Sequence, residues 1–421
     1  MESGPESENF LRWLPPIGRT PRSVPAPWNS KETTAVYPPH TLTSRRRPRR
    51  VLAALCLVLL GNLLVSWPAS PSIAAGTTSG WLASTVGPDG SVIDPYGSDP
   101  SIDWTVNVAL ALAAAGDQSD ALDRAISYIR TNADAYLTSG TSDPAGHLAW
   151  LILLATRVGD DPGDFGDSHL DLLAALQDRY GVEEPGLFGT VDVYTSATTQ
   201  ALAILALLAS GSEVSPDAVD WLLQQQCAGP LGQAGAWQGH RAAVGAGALE
   251  DCLPTTSAAY ERADAATTSL AILALGAVRT RAEGAPGVDD AIDLAVGWLR
   301  SMQAASGPAA GGFGQYVGDP SDPNSTAMVI LALAATGIDA STWTVPGGDP
   351  VSSLGSWVIT VGSDAGAMSS PYSAGSADLF ATYQGMWGIV QTFPIAAEEP
   401  PVTGPGTTEP TIEVMAPAFT G

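Results

Sequence analysis

The chain has 421 residues, 45% of them hydrophobic, with 45 glycines and 33 prolines. That apolar content over that length is enough for a sizeable core and excludes wholesale disorder. The formal charge is −25, and beyond residue 50 nine arginines and no lysine stand against 39 acidic side chains. A surface of that sign repels phosphate backbones and anionic lipid, so nucleic acid and membrane surfaces are excluded as partners of the folded part.

Residues 1–50 read as a disordered, basic, proline-rich extension ending in Arg45-Arg46-Arg47-Pro48-Arg49-Arg50. An apolar run from Val51 to Val65 follows, and then small residues up to Ala74, Ala75 and Gly76. Charged, then apolar, then small is the order of a secretory signal. The signal is placed at 51–75 with cleavage after Ala74 or Ala75, and an uncleaved anchor is the alternative. The expected location is secreted or cell-surface, with membrane contact only through this segment. Beyond it stand two cysteines, Cys227 and Cys252. An even count in an exported chain points to one disulfide. Closing that loop of about 25 residues contributes roughly 3.5 kcal/mol in the chain-entropy picture.

From residue 76 to 395 one pattern returns. An aromatic-Leu pair on an amphipathic helix leads to a Gly-rich loop, then to a polar cluster, then to a helix of Ala, Leu, Ile and Val that stops at Gly. The fullest copy runs Trp298-Leu299 and Gln303, Gly311-Gly312-Phe313-Gly314, Asp322 to Thr326, and Ala327 to Thr336, closed by Gly337. Others close at Gly116, Gly159, Gly211 and Gly276, and a degenerate copy runs from Trp357 to Trp387. Units of about 45 residues are the size of a two-helix repeat. The two helices differ in kind. Residues 125–130 (AISYIR) are half polar, as on an outer helix, whereas 201–208 (ALAILALL) are apolar all round and must be buried on every side. Glycines fit left-handed caps and the polar clusters fit N-caps. Six such units predict an all-α fold, a closed α/α barrel of inner helices sheathed by outer ones.

The run W-L-x-x-x-Q, G-G-F-G, D-x-N-S-T-A, L-A-L, G resembles the repeat of the prenyltransferase and squalene-cyclase superfamily. The resemblance covers about 320 residues and implies the α/α toroid, a fold shared with complement-like thioester domains and with vitamin B12 carriers of the transcobalamin type. The family chemistries do not carry over. A prenyltransferase zinc site needs a His after its Asp and Cys, and the last His here is His240, ahead of Asp251 and Cys252. No metal site is expected. The Asp-x-Asp-Asp acid of the cyclases is absent, as is the Gly-Cys-Gly-Glu-Gln thioester. Asp160, Asp161 and Asp164, and likewise Asp289, Asp290 and Asp293, match a diphosphate-binding pattern but read as solvated loops and helix caps. A terpene cyclase-like enzyme, or a carbohydrate-active toroid with two carboxylates across a cleft, stays open as the enzyme alternative.

Binding is the leading reading. In a toroid the inner helices start together at one mouth, and residues in or before their first turns face a shared funnel. These are Asp103, Trp104, Asn107, His147, Trp150, Tyr194, Thr198, Gln200, Asp264, Thr267, Asn324, Thr326, Asp378, Tyr383 and Trp387. The set suits a large neutral ligand held by many hydrogen bonds. No cofactor is called for; the resemblance to B12 carriers makes cobalamin a candidate ligand, and a cell-surface protein is the alternative partner. Residues 396–421 read as a Pro/Thr/Gly-rich tail. The Ala- and Gly-rich composition, with arginine as the only basic residue besides Lys31 and the histidines, points to a high-GC bacterium of actinobacterial type.

Overall fold

The computed structural model describes residues 72–138, 143–190, 196–228, 233–239, 262–281, 285–373 and 375–393. Residues 51–71 of the signal segment, the C-terminal tail, Tyr194 and Cys252 lie outside them, whereas 72–75 open helix α1. Six inner helices carry the apolar runs: α2 (Ile102–Ala115), α4 (Ala145–Val158), α6 (Ala197–Ala209), α8 (Ala265–Arg281), α10 (Pro323–Ala335) and α12 (Leu379–Val390). Six outer helices alternate with them: α1 (Ser72–Thr85), α3 (Ser119–Thr138), α5 (Leu172–Gln177), α7 (Pro216–Gln224), α9 (Val288–Met302) and α11 (Pro350–Gly355). Each inner helix packs on the next in that order, and α12 packs back on α2, so the ring closes. Outside it, α3 covers α2, α5 covers α4, α7 covers α6, α9 covers α8, α11 covers α10 and α12, and α1 covers α12 and α2. The strands described are one two-residue antiparallel ribbon, Val92–Ile93 with Pro100–Ser101. No described helix is long and apolar enough to cross a membrane.

Local chemistry fixes both ends of the inner helices. At the start, Ser101, Ser196, Asp322 and Asp378 accept an amide of the first turn on their side chains, and Asp264 accepts from Thr267 N at 2.8 Å. At the far end Gly116, Gly159, Gly211 and Gly337 take left-handed conformations, as expected of the repeat's closing glycines. Gly276 does not. α8 continues through it to Arg281. A Cβ at Gly276 would stand 3.4 Å from the Ala335 carbonyl of α10, so this glycine serves a close helix approach and ends nothing.

The ring interior is filled by Leu, Ile, Val and Ala in one continuous core. On the α2–α4–α12 side an aromatic seam replaces the aliphatics. Trp104 meets Tyr383 at 6.0 Å, Tyr383 meets Trp387 at 5.6 Å, and Trp387 stacks on Trp150 at 5.9 Å.

Candidate mouth of the toroid

Counting from the capping residue puts the inner helices in one register. Four residues on stand Thr105, Gln200, Thr268, Thr326 and Thr382. Each takes an amide from the loop that precedes its helix: Val92, Phe188, Trp237, Phe313 and Met368 donate at 2.9–3.0 Å. These side chains point outward and bolt the loops to the ring. Gln200 also donates from Nε2 to the carbonyls of Gly186 and Ala218. Gln200 and Thr326, expected in the funnel, therefore spend their polar atoms on the scaffold. The α4 helix breaks the pattern, with Pro144 in the cap position giving no side-chain cap and Leu148 in place of the anchor.

With the anchor facing outward, the residues two and six after the cap face the ring axis, because each is close to half a turn from it. The first tier is Asp103, Gly146, Thr198, Ala266, Asn324 and Phe380, and all six are partly exposed. The second is Asn107, Trp150, Leu202, Leu270, Met328 and Gln384, of which Gln384 alone is more than marginally exposed. Together they form the wall and floor of a bowl at the start of the inner helices. Asp103, Asn107, Trp150, Thr198 and Asn324 from the expected set stand in these tiers. His147 and Thr267 adjoin them between neighbouring helices. Trp104 and Tyr383 pack between α2 and α12, and Trp387 lies one turn below the floor. Asp264 is a buried helix start, and Asp378 is a cap that also accepts from Ser370 Oγ. Sequence reading misses Gly146, Ala266, Phe380, Leu202, Leu270, Met328 and Gln384, which only the outward anchor positions reveal.

Three polar pairs line the wall. Thr198 and Thr267 join their hydroxyls at 3.0 Å across α6 and α8. Asn324 Nδ2 donates to Gln384 Oε1 at 3.0 Å across α10 and α12. Between α2 and α4, His147 Nε2 stands 3.7 Å from Asp103 Oδ1, with both side chains about one-third exposed. The buried Tyr136 of outer helix α3 donates its hydroxyl to Asp103 and stacks on the His147 ring at 4.2 Å. Desolvation pushes the Asp103 carboxyl up and the His147 imidazole down, while their mutual attraction opposes both shifts. Elsewhere burial raises Asp264 to about 6 and Asp322 to about 7 against the amide hydrogen bonds of their caps. Among the described residues no three His, Cys, Asp or Glu side chains gather as a metal site. Asp160 pairs with Arg130 and Asp164 with His169, while Asp289 and Asp290 sit in the first turn of α9.

No family model and no curated protein matches the chain. Solved structures do. An inactive variant of alpha-1,6-mannanase from Salegentibacter, in complex with alpha-1,6-mannotriose, is 11% identical over 76% of this chain and 98% of that one, with a TM-score of 0.50. The type II terpene cyclase MstE from Scytonema is 16% identical over 76% and 97%, with a TM-score of 0.48. An unsaturated glucuronyl hydrolase specific for heparin is 14% identical over 76% and 95%, with a TM-score of 0.48. At such identities the likeness concerns the fold. The chain is an α/α toroid protein of six helical hairpins.

Proposed function

We propose that this toroid is an exported protein that binds a neutral, hydroxyl-rich ligand of the saccharide class in the bowl. The observation that carries the reading is the first tier: every residue is accessible, and Asp103 supplies its only formal charge. The Asn324–Gln384 bond leaves the Asn324 oxygen and Gln384 nitrogen to serve ligand hydroxyls, as acceptor and donor. Phe380, partly exposed one turn before Gln384, offers an apolar face beside these groups, the mixture of few polar anchors and aromatic wall that small-molecule sites use. The mannanase of like fold was solved with a mannose trisaccharide, which fits the same ligand class.

A second reading makes the site catalytic. It is favoured by Asp103, whose partly buried carboxyl is raised by desolvation toward the protonated form and stands at the bowl within reach of Tyr136 and His147. Titration calorimetry of the full chain against neutral oligosaccharides, α-1,6-mannotriose among them, and against cobalamin tests both readings. We expect one saccharide to bind with an affinity Asp103→Ala lowers by about tenfold, the loss of one charge-assisted hydrogen bond. Saccharide turnover that Asp103→Asn abolishes while binding survives would select the enzyme. Stoichiometric cobalamin uptake, or a protein partner in place of any saccharide, would overturn the reading. The intact mass of the exported chain reads signal removal and the Cys227–Cys252 bond together.

A further inference from the structure

The two-residue ribbon is a hairpin in the loop before α2, and its tip is built by local hydrogen bonds. Asp94 N donates to the Asp99 carbonyl and Gly97 N to the Asp94 carbonyl, both at 3.0 Å, and Asp94 Oδ1 accepts from Tyr96 N at 2.9 Å. Tyr96 therefore holds a fixed place on the tip. Its ring centroid lies 6.1 Å from that of Trp104, and Trp104 in turn meets Phe380 edge-on at 6.5 Å. Phe380 belongs to the first tier of the bowl. One aromatic run thus leads from the hairpin tip, over the starts of α2 and α12, to the bowl wall. Trp104 in its middle is buried, whereas Tyr96 is 63% exposed. Among the described Phe, Tyr and Trp side chains, Tyr96 and Tyr372 are the exposed ones, and both stand on loops that lead into inner helices. A ring left in solvent forgoes the burial that the other aromatics gain.

The surroundings of Tyr96 select its occupant. Desolvation raises the Tyr96 phenol, and the Asp378 and Asp94 carboxylates raise it further, so its hydroxyl stays a donor at neutral pH. A ring face edged by a hydroxyl donor and carboxylate acceptors matches a pyranose, which has an apolar C–H face and hydroxyls around its edge. A stable protein partner covers about 800 Å² a side. The hairpin offers only Ile93 and Tyr96 as exposed large apolar side chains, the scale of a sugar ring.

We infer that the Tyr96 hairpin forms a second sugar subsite at the rim of the bowl, where the Tyr96 ring stacks on the next residue of a saccharide held by the first tier. The inference rests on the saccharide reading and names the class within it: oligosaccharides rather than single sugars.

The test is calorimetry on the full chain with methyl α-mannoside, α-1,6-mannobiose and α-1,6-mannotriose, and in parallel with methyl α-glucoside, maltose and maltotriose. In the series that binds, affinity should rise about tenfold from the single sugar to the longer chain, the worth of one aromatic stacking contact. Tyr96→Ala should erase that rise and leave the affinity of the single sugar unchanged. Tyr96→Phe, which keeps the ring, should retain most of the rise, and it decides the matter should Tyr96→Ala fail to fold. A rise that survives Tyr96→Ala, or one that Tyr372→Ala erases instead, overturns the subsite. Equal affinity along both series also overturns it but spares the bowl. Binding of no saccharide at all removes both.

Discussion

The α10 repeat and the α4 repeat share one plan and part company at the bowl. In α10, Asp322 caps with 2.7 Å to Ser325 N, Pro323 opens the helix, and Thr326 bolts the Phe313 amide. In α4 the cap is Pro144 and the anchor is Leu148, yet this helix presents His147 to Asp103. In α10 the polar cap and anchor serve the scaffold, while Asn324, two residues after the cap, faces the bowl. In α4 the cap residue itself gives no side-chain cap and the polar anchor is missing, and the amide of Ala145 is taken instead by Asp143 Oδ1 at 2.9 Å.

Three measurements press on that contrast. The largest effect is expected at Gly311 in the loop before α10. Its φ is +94°, and an added Cβ would lie 2.5 Å from the Asp349 amide nitrogen. Gly311→Ala should destabilise by about 3 kcal/mol or more, since left-handed strain and backbone overlap add. Gly159→Ala, at the end of α4, has φ +82° but nothing within 4 Å of the new methyl, and should cost about 1 kcal/mol. Urea unfolding of both variants reads the difference, and equal losses would dissolve it.

Next in size is Thr326→Val, which strands the buried Phe313 amide and should cost about 2 kcal/mol. Because Thr326 faces outward, ligand affinity should stay at the wild-type value in the same preparation. A variant that stays stable yet loses affinity would return Thr326 to the bowl.

The smallest effect is a pH slope. Asp322 titrates at about 7 in the fold, above its ordinary carboxylate value of 3.8, because burial disfavours the charged form. Between those values the folded state holds the proton that the unfolded state has released. Its contribution is therefore present below the ordinary carboxylate range and is lost as pH rises toward 7. Melting temperature should fall over that window, and Asp322→Asn, which keeps an oxygen for Ser325 N, should flatten part of the fall. An unchanged slope in the variant would place the titration elsewhere.

Most of the fold was legible because its signals are local. Apolar all-round runs, Ser and Asp starts and glycine stops each act within a turn or two of the chain. Gly276 was misread because a glycine that ends a helix and one that admits a neighbour look alike until Ala335 of α10 is seen beside it. The site was half legible. Asp103, Asn107, Thr198 and Asn324 announce themselves as polar residues at helix starts, but so do Gln200 and Thr326, which face the other way. The apolar floor residues Leu202, Leu270 and Met328 gave no chemical signal at all. Tyr136 was invisible because it comes from an outer helix and reaches Asp103 only through packing.

By itself, then, the sequence determined a ring of six buried helices in a sheath of amphipathic ones, with one end capped by side chains and the other by glycine. Capping and periodicity need only neighbours along the chain. The tertiary structure alone decided which face of each helix looks inward, that Asp103 meets His147 and Tyr136, and that Trp387 stacks on Trp150. Those outcomes depend on ring closure, which brings together residues whose own sequence neighbourhoods carry no record of one another.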